Sequence, residues 1–337
     1  MKMSRSIFAR GMNIVHLRAK GAEMSNSIRF LSKTVLFGLL VCSSAVFMPA
    51  AVAAEAAQGD GPPLPVHTIE GGGGAAITPI AYLVNPGPEG TQFGLPAVSY
   101  TYLHLEDKNL QTFSVTSTLF RRLEIGYAAG LLDLGTLPRD ILNATTVAIT
   151  DELIVHNVSA RLLAVQENQF GPLTPALTFS AHYKYNDEID DINQDLGGAL
   201  STLGYDSNDG VDFLATATKA WPNFFGQTLI TTFGLRFSEA IWNGYLGFTD
   251  EYEVSAEANA VLLLPHNFFL AYEYRGMPDA IDELGTLVRD ETDWHAADLG
   301  WIANDHLSLV LFYGHVGNLV NADDVNTAWA LQAKFEF

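Results

Sequence analysis

The stretch Leu229-Ile230-Thr231-Thr232-Phe233-Gly234-Leu235-Arg236-Phe237 alternates apolar or aromatic residues with small or polar ones over most of its length. The same two-residue period runs through residues 177–185 (LTFSAHYKY), 254–260 (VSAEANA) and 329–337 (WALQAKFEF). Successive side chains of a β-strand point to opposite faces of the sheet. Each segment therefore predicts a strand with one face against an apolar medium and the other face away from it.

The composition narrows the class of protein. Of 337 residues, 48% are hydrophobic and 17% are charged, whereas about a quarter of the residues in a soluble domain are charged. Only one stretch, roughly residues 34–54, is continuously apolar for the length that a membrane-spanning helix needs. A polytopic helical membrane protein is therefore excluded, and the many aromatic and branched residues exclude a disordered chain.

About twelve alternating segments follow one another, an even number, as in bacterial single-chain barrels. Each is about ten residues long, which a tilted strand needs to cross a bilayer, and aromatic residues lie near the segment ends on the apolar face. The predicted strands are 96–105, 111–120, 122–132, 152–164, 173–185, 211–221, 228–239, 252–264, 268–276, 293–302, 307–316 and 326–337.

The connections between these segments alternate in length, apart from one short connection at 106–109. Short periplasmic turns and longer outside loops are typical of outer-membrane barrels. We therefore predict an all-β fold, a transmembrane antiparallel up-and-down β-barrel over residues 96–337. The longer connections, rich in acidic residues, are 133–151, 186–210, 240–251, 277–292 and 317–325.

The N-terminal part divides into two regions. Residues 1–54 combine basic residues, an apolar run and a small-residue stretch, the order of a cleaved signal peptide. Translation could instead start at Met24, which gives a signal peptide of ordinary length. The alternative interpretation of this segment is a membrane anchor that is not cleaved. Residues 55–95 are rich in Gly, Pro and Ala, and we expect them to be periplasmic or tucked into the barrel. The glycine run 71–74 lacks the lysine and the strand–turn–helix context of a phosphate loop, which favours flexible backbone near a barrel opening.

The net charge of −20, from 38 acidic and 18 basic residues, argues against nucleic acid as a partner. Cys42 is the only cysteine and lies in the predicted leader, so the remaining chain has no disulfide and no thiolate chemistry. We expect no cofactor. The acidic loops favour divalent cations held loosely against lipopolysaccharide, and the barrel exterior favours outer-membrane lipid as a partner.

Charged and imidazole side chains recur on the polar face of the predicted strands. Because a charge facing lipid at mid-depth costs ~2–4 kcal/mol, these side chains are predicted to face inward. Arg236, Glu257 and Glu273/Arg275 lie on neighbouring predicted strands, which predicts a ladder of ion pairs across the interior. Two interpretations stay open: the charges fill a narrow interior, or they line the path of a small polar or zwitterionic solute. The set is Glu124, Arg161, His182, Lys184, Arg236, Glu253, Glu257, Glu273, Arg275, Asp298, Lys334 and Glu336.

Metal and catalytic signals are weak. Residues 206–212 begin like a calcium loop but lack the closing glutamate, and no histidines have helical metal-ligand spacing, so no metal site is predicted. A lipid hydrolase would need a Ser–His pair facing lipid, and Ser180 and His182 are predicted to point inward. A triad assembled across strands stays open as a minor alternative.

Several short runs point to one known family, and they are Tyr183-Lys184-Tyr185-Asn186-Asp187, Gly210-Val211-Asp212-Phe213 with Ala217-Thr218-Lys219, Asn243-Gly244-Tyr245-Leu246-Gly247-Phe248, Glu273-Tyr274-Arg275-Gly276-Met277-Pro278-Asp279 and Gly317-Asn318-Leu319. They resemble the DUF3034 family of proteobacterial envelope proteins, and the resemblance covers most of the chain from Glu70 to Phe337. The acidic insertion 186–209 departs from the family pattern. The resemblance implies an outer-membrane barrel and no catalytic residues. The family is also similar in architecture to barrels classed as phenol-degradation or hydrocarbon-uptake channels.

The C-terminal residue Phe337 follows Trp329, Leu331 and Phe335 in alternation, which resembles the signal that outer-membrane assembly machinery recognises. The plainer interpretation of this alternation is that it belongs to the last strand of the barrel. Both interpretations can be true, because the assembly signal is itself the last strand. Altogether the sequence predicts an exported protein of the bacterial outer membrane that passes a small solute. The alternatives are a structural or adhesive barrel without transport and, less favoured, a lipid-modifying enzyme.

Overall fold

The computed structural model describes residues 65–281, 289–318, 325 and 327–337. The predicted signal peptide, the alternative start Met24 and Cys42 lie outside the described residues. The signal peptide therefore stays a prediction.

Within the described part of the chain, twelve antiparallel strands form one closed barrel in chain order, and the last strand pairs with the first. The prediction of a twelve-stranded up-and-down barrel is confirmed, with most strand ends within a few residues of those expected. The strands are β3 (Ala97–Leu105), β4 (Lys108–Leu119), β5 (Leu123–Asp133), β6 (Glu152–Val165), β7 (Ala176–Asn186), β8 (Asp209–Phe224), β9 (Gln227–Ala240), β10 (Phe248–Leu263), β11 (Phe268–Arg275), β12 (Trp294–Ile302), β13 (Leu307–His315) and β14 (Ala328–Glu336).

The two ends of the barrel differ. One end, here called the loop end, carries the long connections, and the other, the turn end, carries the short ones and the C-terminus. Helices α1 (Leu137–Thr145), α2 (Ile189–Asp195) and α3 (Ala199–Thr202) lie in loop-end connections, as does a 3-10 turn at Ile241–Gly244. The tight β3–β4 turn at Glu106 is the short loop-end exception that the sequence predicted.

The outer face of the barrel is apolar and exposed. Phe179, Phe233 and Leu331 are each more than half exposed although they sit on regular strands. Tyr and His side chains bond to one another near the loop end, as in Tyr272–His295, and Phe and Trp rings cluster near the turn end. An apolar band between two aromatic girdles is the surface that a transmembrane barrel presents to acyl chains. Among the described helices, none has the length and apolar character to cross a membrane.

Residues 65–84, here called the plug, lie inside the barrel with every residue buried. Short strands β1 (Val66–His67) and β2 (Gly73–Gly74) pair with each other. Val66 and Ile80 pack among wall residues of the turn-end half, whereas Ile77 packs among those of the loop-end half. The plug is therefore a hairpin that enters from the turn end and returns to it, and residues 85–95 lead on to β3.

The glycine run forms part of this hairpin, deep inside the barrel. Gly71 has a φ of +90°, and a Cβ at Gly74 would lie 2.3 Å from the carbonyl oxygen of Thr78. These positions need glycine because the backbone turns tightly and packs closely. The expectation that residues 71–74 lie near a barrel opening is therefore wrong.

An apolar cluster, here called the lid, closes the loop end. It is built by loop residues folded inward and by Trp294 at the loop end of β12, and Trp242 lies 5.8 Å from Trp294, ring centre to ring centre. Trp242 and Asn243 both have positive φ, a conformation that turns this loop back over the opening. The plug tip contacts the same cluster through Ile69 and Ile77. The lid residues are Ile189, Ile192, Tyr205, Ile241, Trp242, Tyr245, Trp294, Val316 and Val325.

A charge on the apolar band tests the membrane-facing assignment. We expect Leu311→Arg, at the middle of β13, to lower the free energy of unfolding in lipid vesicles by ~2–4 kcal/mol, because the guanidinium meets acyl chains. Leu142→Arg on α1 is the matched control, since Leu142 and Leu311 are 44% and 45% exposed. The control is expected to change stability by less than about 0.5 kcal/mol. Equal effects of the two variants would contradict the assignment.

Candidate functional site

The carboxylate of Glu70, at the tip of the plug, binds three cationic side chains of the barrel wall. Lys184 donates to Oε1 at 2.6 Å, and Arg275 donates to Oε2 at 2.8 Å. Arg236 donates to both oxygens, from Nη1 to Oε1 at 3.1 Å and from Nη2 to Oε2 at 2.7 Å. All four side chains are buried. Each oxygen of Glu70 therefore has two charged donors, and this group is here called the Glu70 cluster.

The cations of the cluster belong to a ladder of alternating charge on five consecutive strands, β7 to β11. In strand order the ladder is Lys184, Asp212, Arg236, Glu257 and Arg275. Asp212 lies 2.7 Å from Lys184 and 2.6 Å from Arg236, and Glu257 lies 2.8 Å from Arg236 and 2.9 Å from Arg275. Buried charges are tolerated when they are paired, so the wall carboxylates hold the cations in position.

The ionisation of Glu70 follows from these contacts. Burial by itself raises the pKa of the Glu70 carboxyl, but Arg236, Lys184 and Arg275 outweigh burial and hold the pKa well below its ordinary value. Glu70 therefore carries its negative charge at neutral pH, and the plug is bound through a charged group.

Glu273 on β11 holds the turn of the plug that follows. It accepts hydrogen bonds from the backbone N–H groups of Ala76 at 2.8 Å, Ile77 at 3.0 Å and Thr78 at 2.6 Å, and from the Thr78 hydroxyl. Asn259 donates to the Thr78 hydroxyl oxygen at 2.9 Å. A wall carboxylate thus satisfies three consecutive N–H groups that would otherwise be buried without partners.

The Glu124–Arg161 pair on β5 and β6 binds the backbone of the plug at several points. The two side chains lie 2.7 Å apart. Glu124 accepts from the N–H groups of Gly73 at 3.1 Å and Val84 at 2.8 Å, and Arg161 donates to the carbonyl oxygen of Ile80. The strand charges therefore satisfy the plug backbone as well as one another.

A third set of polar contacts lies where the plug enters. His67 bonds Ser99 at 2.8 Å through Nδ1 and Thr116 at 2.9 Å through Nε2. Lys334 pairs with Glu336 and donates to the carbonyl oxygen of Pro65. Although His67 and Ser99 form a Ser–His pair, the third partner is a threonine and the group is buried between plug and wall, away from lipid.

Eleven of the twelve sequence-predicted interior residues are buried inside the barrel, and their surroundings are the plug and one another. Asn157 Nδ2 donates to His182 Nδ1 at 3.2 Å, and Asp298 is buried on β12 beside Glu273 of β11. Glu253 is the exception, since it is exposed near the loop end of β10. Residues 250–254 at this end of β10 are all exposed, so the expectation of an interior position for Glu253 is wrong. The buried eleven are Glu124, Arg161, His182, Lys184, Arg236, Glu257, Glu273, Arg275, Asp298, Lys334 and Glu336.

Two residues of the Glu70 cluster and its ladder were not predicted from the sequence. Asp212 shares the inward parity of Thr216 and Thr218 on β8, so the alternation alone was enough to find it. Glu70 is the only charged residue between positions 61 and 88 and directly precedes four glycines. An isolated acid in an otherwise uncharged segment was the available signal.

The predicted assembly signal lies on the outer face of the last strand. Trp329, Leu331 and Phe335 are exposed on β14, and Phe337 follows it. The role of these residues in assembly stays a prediction. Among the described residues, no group of three His, Cys, Asp or Glu side chains is placed to hold a metal ion.

Two small cavities lie between plug and wall. One cavity of about 20 Å³ is bordered by Glu70, Asn157, Lys184 and Tyr245, and another of about 10 Å³ is bordered by Ile69 and Gln332. Such volumes have room for about one water molecule each. Neither of these two cavities therefore has room for an organic solute.

The chain matches the family model described as "Protein of unknown function (DUF3034)" over residues 65–333. None of the curated proteins matches the chain in sequence. Similar solved structures include the KdgM porin, with 7% identity, 72% of this chain and 99% of that chain covered, and a TM-score of 0.42.

Two further similar structures are the Acinetobacter baumannii outer membrane protein Omp33 (10% identity, 73% and 99% covered, TM-score 0.39) and the Pseudomonas putida toluene transporter TodX (10%, 81% and 97%, 0.38). At these identities and TM-scores, no function carries over to this chain. The family match spans the plug and nearly the whole barrel, so this chain belongs to the DUF3034 family.

Proposed function

We propose that the protein is an outer-membrane channel that its own N-terminal plug keeps closed. The observation that carries the proposal is the polar character of the contact between plug and wall. The plug is held by ion pairs and by hydrogen bonds to its backbone, centred on Glu70. The interior of a membrane barrel is polar either where it forms a water-filled channel or where a plug fills it.

The wall behind the plug supports a lumen that water can fill. Beside its charges, it presents hydroxyl and amide side chains toward the interior. A wall of this kind is wetted at little cost once the plug leaves, whereas an apolar interior is not. The inward polar residues are Ser99, Thr101, Thr112, Ser114, Thr116, Thr118, Asn157, Ser159, Thr178, Ser180, Thr216, Thr218, Thr232, Asn259 and Gln332.

The energetics of buried ion pairs favour a reversible plug. Replacing a buried ion pair by well-packed apolar side chains is often neutral or stabilising by about 1–4 kcal/mol. A plug whose only role is to fill the barrel gains nothing from charges at its tip. A plug that leaves and returns exchanges the same charged contacts for water, so polar anchoring suits a movable part.

The orientation follows from the two ends. In outer-membrane barrels the short turns face the periplasm and the longer loops face outward. The plug then enters from the periplasmic side, and the lid with its acidic connections faces the exterior, where we propose contact with lipopolysaccharide. The exposed side chains of β14 are proposed to engage the assembly machinery, and the lipid of the outer membrane covers the apolar band.

Two other functions make different predictions. A structural or adhesive barrel has a permanent plug, which the contacts of Glu124 and Glu273 keep in place when the Glu70 carboxylate is removed, so Glu70→Ala brings no current. A lipid-modifying enzyme releases fatty acid from phospholipid in a calcium-dependent assay of the refolded protein. Conductance and fatty-acid release therefore separate the three classes.

Removing the Glu70 carboxylate is expected to open the channel. Glu70→Ala leaves Lys184, Arg236 and Arg275 without their shared partner, so the plug loses its central anchor. The lid packs on Ile69 and Ile77 of the plug tip and is loosened with it, so single-channel current in planar bilayers rises several-fold. Glu89→Ala is the matched control, because Glu89 lies in the same N-terminal region and is exposed. Wild-type current from Glu70→Ala, in protein that migrates as a folded barrel, would contradict the proposal.

The lowered pKa of Glu70 makes a prediction about acid. A carboxyl whose folded pKa is lowered contributes its full stabilisation above its unfolded pKa of about 4.3, and loses it only as the pH falls through the folded value. Wild-type channels are therefore expected to stay closed from about pH 7 to about pH 5. Glu70→Gln, which has no carboxyl to titrate, is expected to conduct across the same range.

Opening of the wild-type channel between about pH 7 and about pH 5 would mean that Glu70 does not hold the plug as proposed. The titratable and charged groups around Glu70 are Lys184, Arg236, Arg275, His182, Asp212, Glu257 and Tyr245.

A further inference from the structure

The Glu70 carboxylate sits in its cluster as a bound ligand would. It belongs to the plug, whereas every charged partner belongs to the wall, on β7, β9 and β11. If the plug leaves, Lys184, Arg236 and Arg275 stay on their strands and face the lumen. The wall thus contains a built site whose present occupant is a carboxylate.

We infer that Lys184, Arg236 and Arg275 form a carboxylate-binding site for the solute, and that the channel takes small organic acids with one carboxylate. The solute part of this inference rests on the proposed channel function, whereas the binding part does not. Glu70 occupies the site when the channel is closed, and the carboxylate of the solute occupies it when the plug has left.

The cations are held in place without Glu70. Arg236 is bound by Glu257 through Nε and by Asp212 through Nη1. Arg275 lies 2.9 Å from Glu257, donates to Asn243 Oδ1 at 3.0 Å and stacks 5.7 Å from the ring centre of Trp294. A site whose donors are fixed before the ligand arrives loses less entropy on binding.

The charge balance of the wall selects one carboxylate. Within the ladder, the three cations face two carboxylates, Asp212 and Glu257, so these five side chains together carry one net positive charge when Glu70 is absent. One monocarboxylate neutralises it. The Arg236 guanidinium meets both oxygens of Glu70 in a two-bonded arrangement, which matches the planar geometry of a carboxylate better than a spherical anion such as chloride.

Chemical rescue tests the site. Glu70→Ala removes a CH₂–COO⁻ group, so acetate has the size and charge to refill the gap, and acetamide is its neutral counterpart. We expect acetate, at ionic strength matched with chloride, to raise the thermal unfolding midpoint of Glu70→Ala in detergent with a saturable dependence on concentration. Acetamide is expected to leave it unchanged, and wild type, whose site is filled, is expected to show no acetate effect.

A second readout and a double variant complete this test. If Glu70→Ala folds poorly, the readout becomes the yield of folded, heat-modifiable barrel on refolding, which acetate and not acetamide is expected to raise. Adding Arg275→Met to Glu70→Ala is expected to weaken the acetate effect several-fold. Equal responses to acetate and acetamide would overturn the inference.

The current of Glu70→Ala in planar bilayers separates this inference from the proposed function. Acetate is expected to reduce the chloride current of that variant in a saturable way, and acetamide is not. If acetate raises the unfolding midpoint but the variant carries no current, the proposed channel function is contradicted and the binding site is supported. If the variant carries a current that acetate and acetamide affect equally, the channel function is supported and the carboxylate-binding site is contradicted.

Discussion

The ionised carboxylate of Glu70 among three wall cations is the interaction on which the closed interior depends. Lys184, Arg236 and Arg275 come from three strands that lie in one continuous arc of the barrel. Glu70 is the group that brings their excess positive charge to balance. Because the plug carries this charge and the wall carries its partners, the position of the plug and the electrostatics of the wall are set together.

The same logic extends to the backbone of the plug. A short hairpin inside a barrel has N–H and C=O groups that neither regular strand pairing nor bulk water satisfies. Glu124, Arg161 and Glu273 supply the missing partners, and the glycine run lets the hairpin turn tightly enough to reach them. The barrel is thus closed in two different ways. The plug, which enters from the turn end, is held by polar contacts, and the lid closes the loop end by apolar packing.

The barrel was predictable from the sequence because a period of two is a local property. Residues 229–237 identify an inward and an outward face without knowledge of any other strand. The same alternation placed Arg236 and Glu257 correctly and would have placed Asp212. It failed for Glu253, since parity tells the face of a strand but not how far along the barrel the residue lies.

The plug was only partly predictable. Residues 65–84 have no strand or helix periodicity, and their fold is set by contacts with residues up to 269 positions away, such as that of Pro65 with Lys334. No local rule places the glycine run inside the barrel. Its close contact with the wall is a consequence of tertiary structure, and only the isolated acid before it marked the segment as unusual.

The most direct measurement is the ¹³C–¹⁵N dipolar coupling between the Glu70 carboxyl carbon and the guanidinium nitrogens of Arg236 and Arg275, by solid-state NMR of the protein in lipid bilayers. The Glu124–Arg161 pair, within the same barrel, serves as the internal standard. We predict that Glu70 is ionised and couples to both guanidinium groups as strongly as Glu124 couples to Arg161. A sample that shows the Glu124–Arg161 coupling but no coupling to Glu70 would contradict the account.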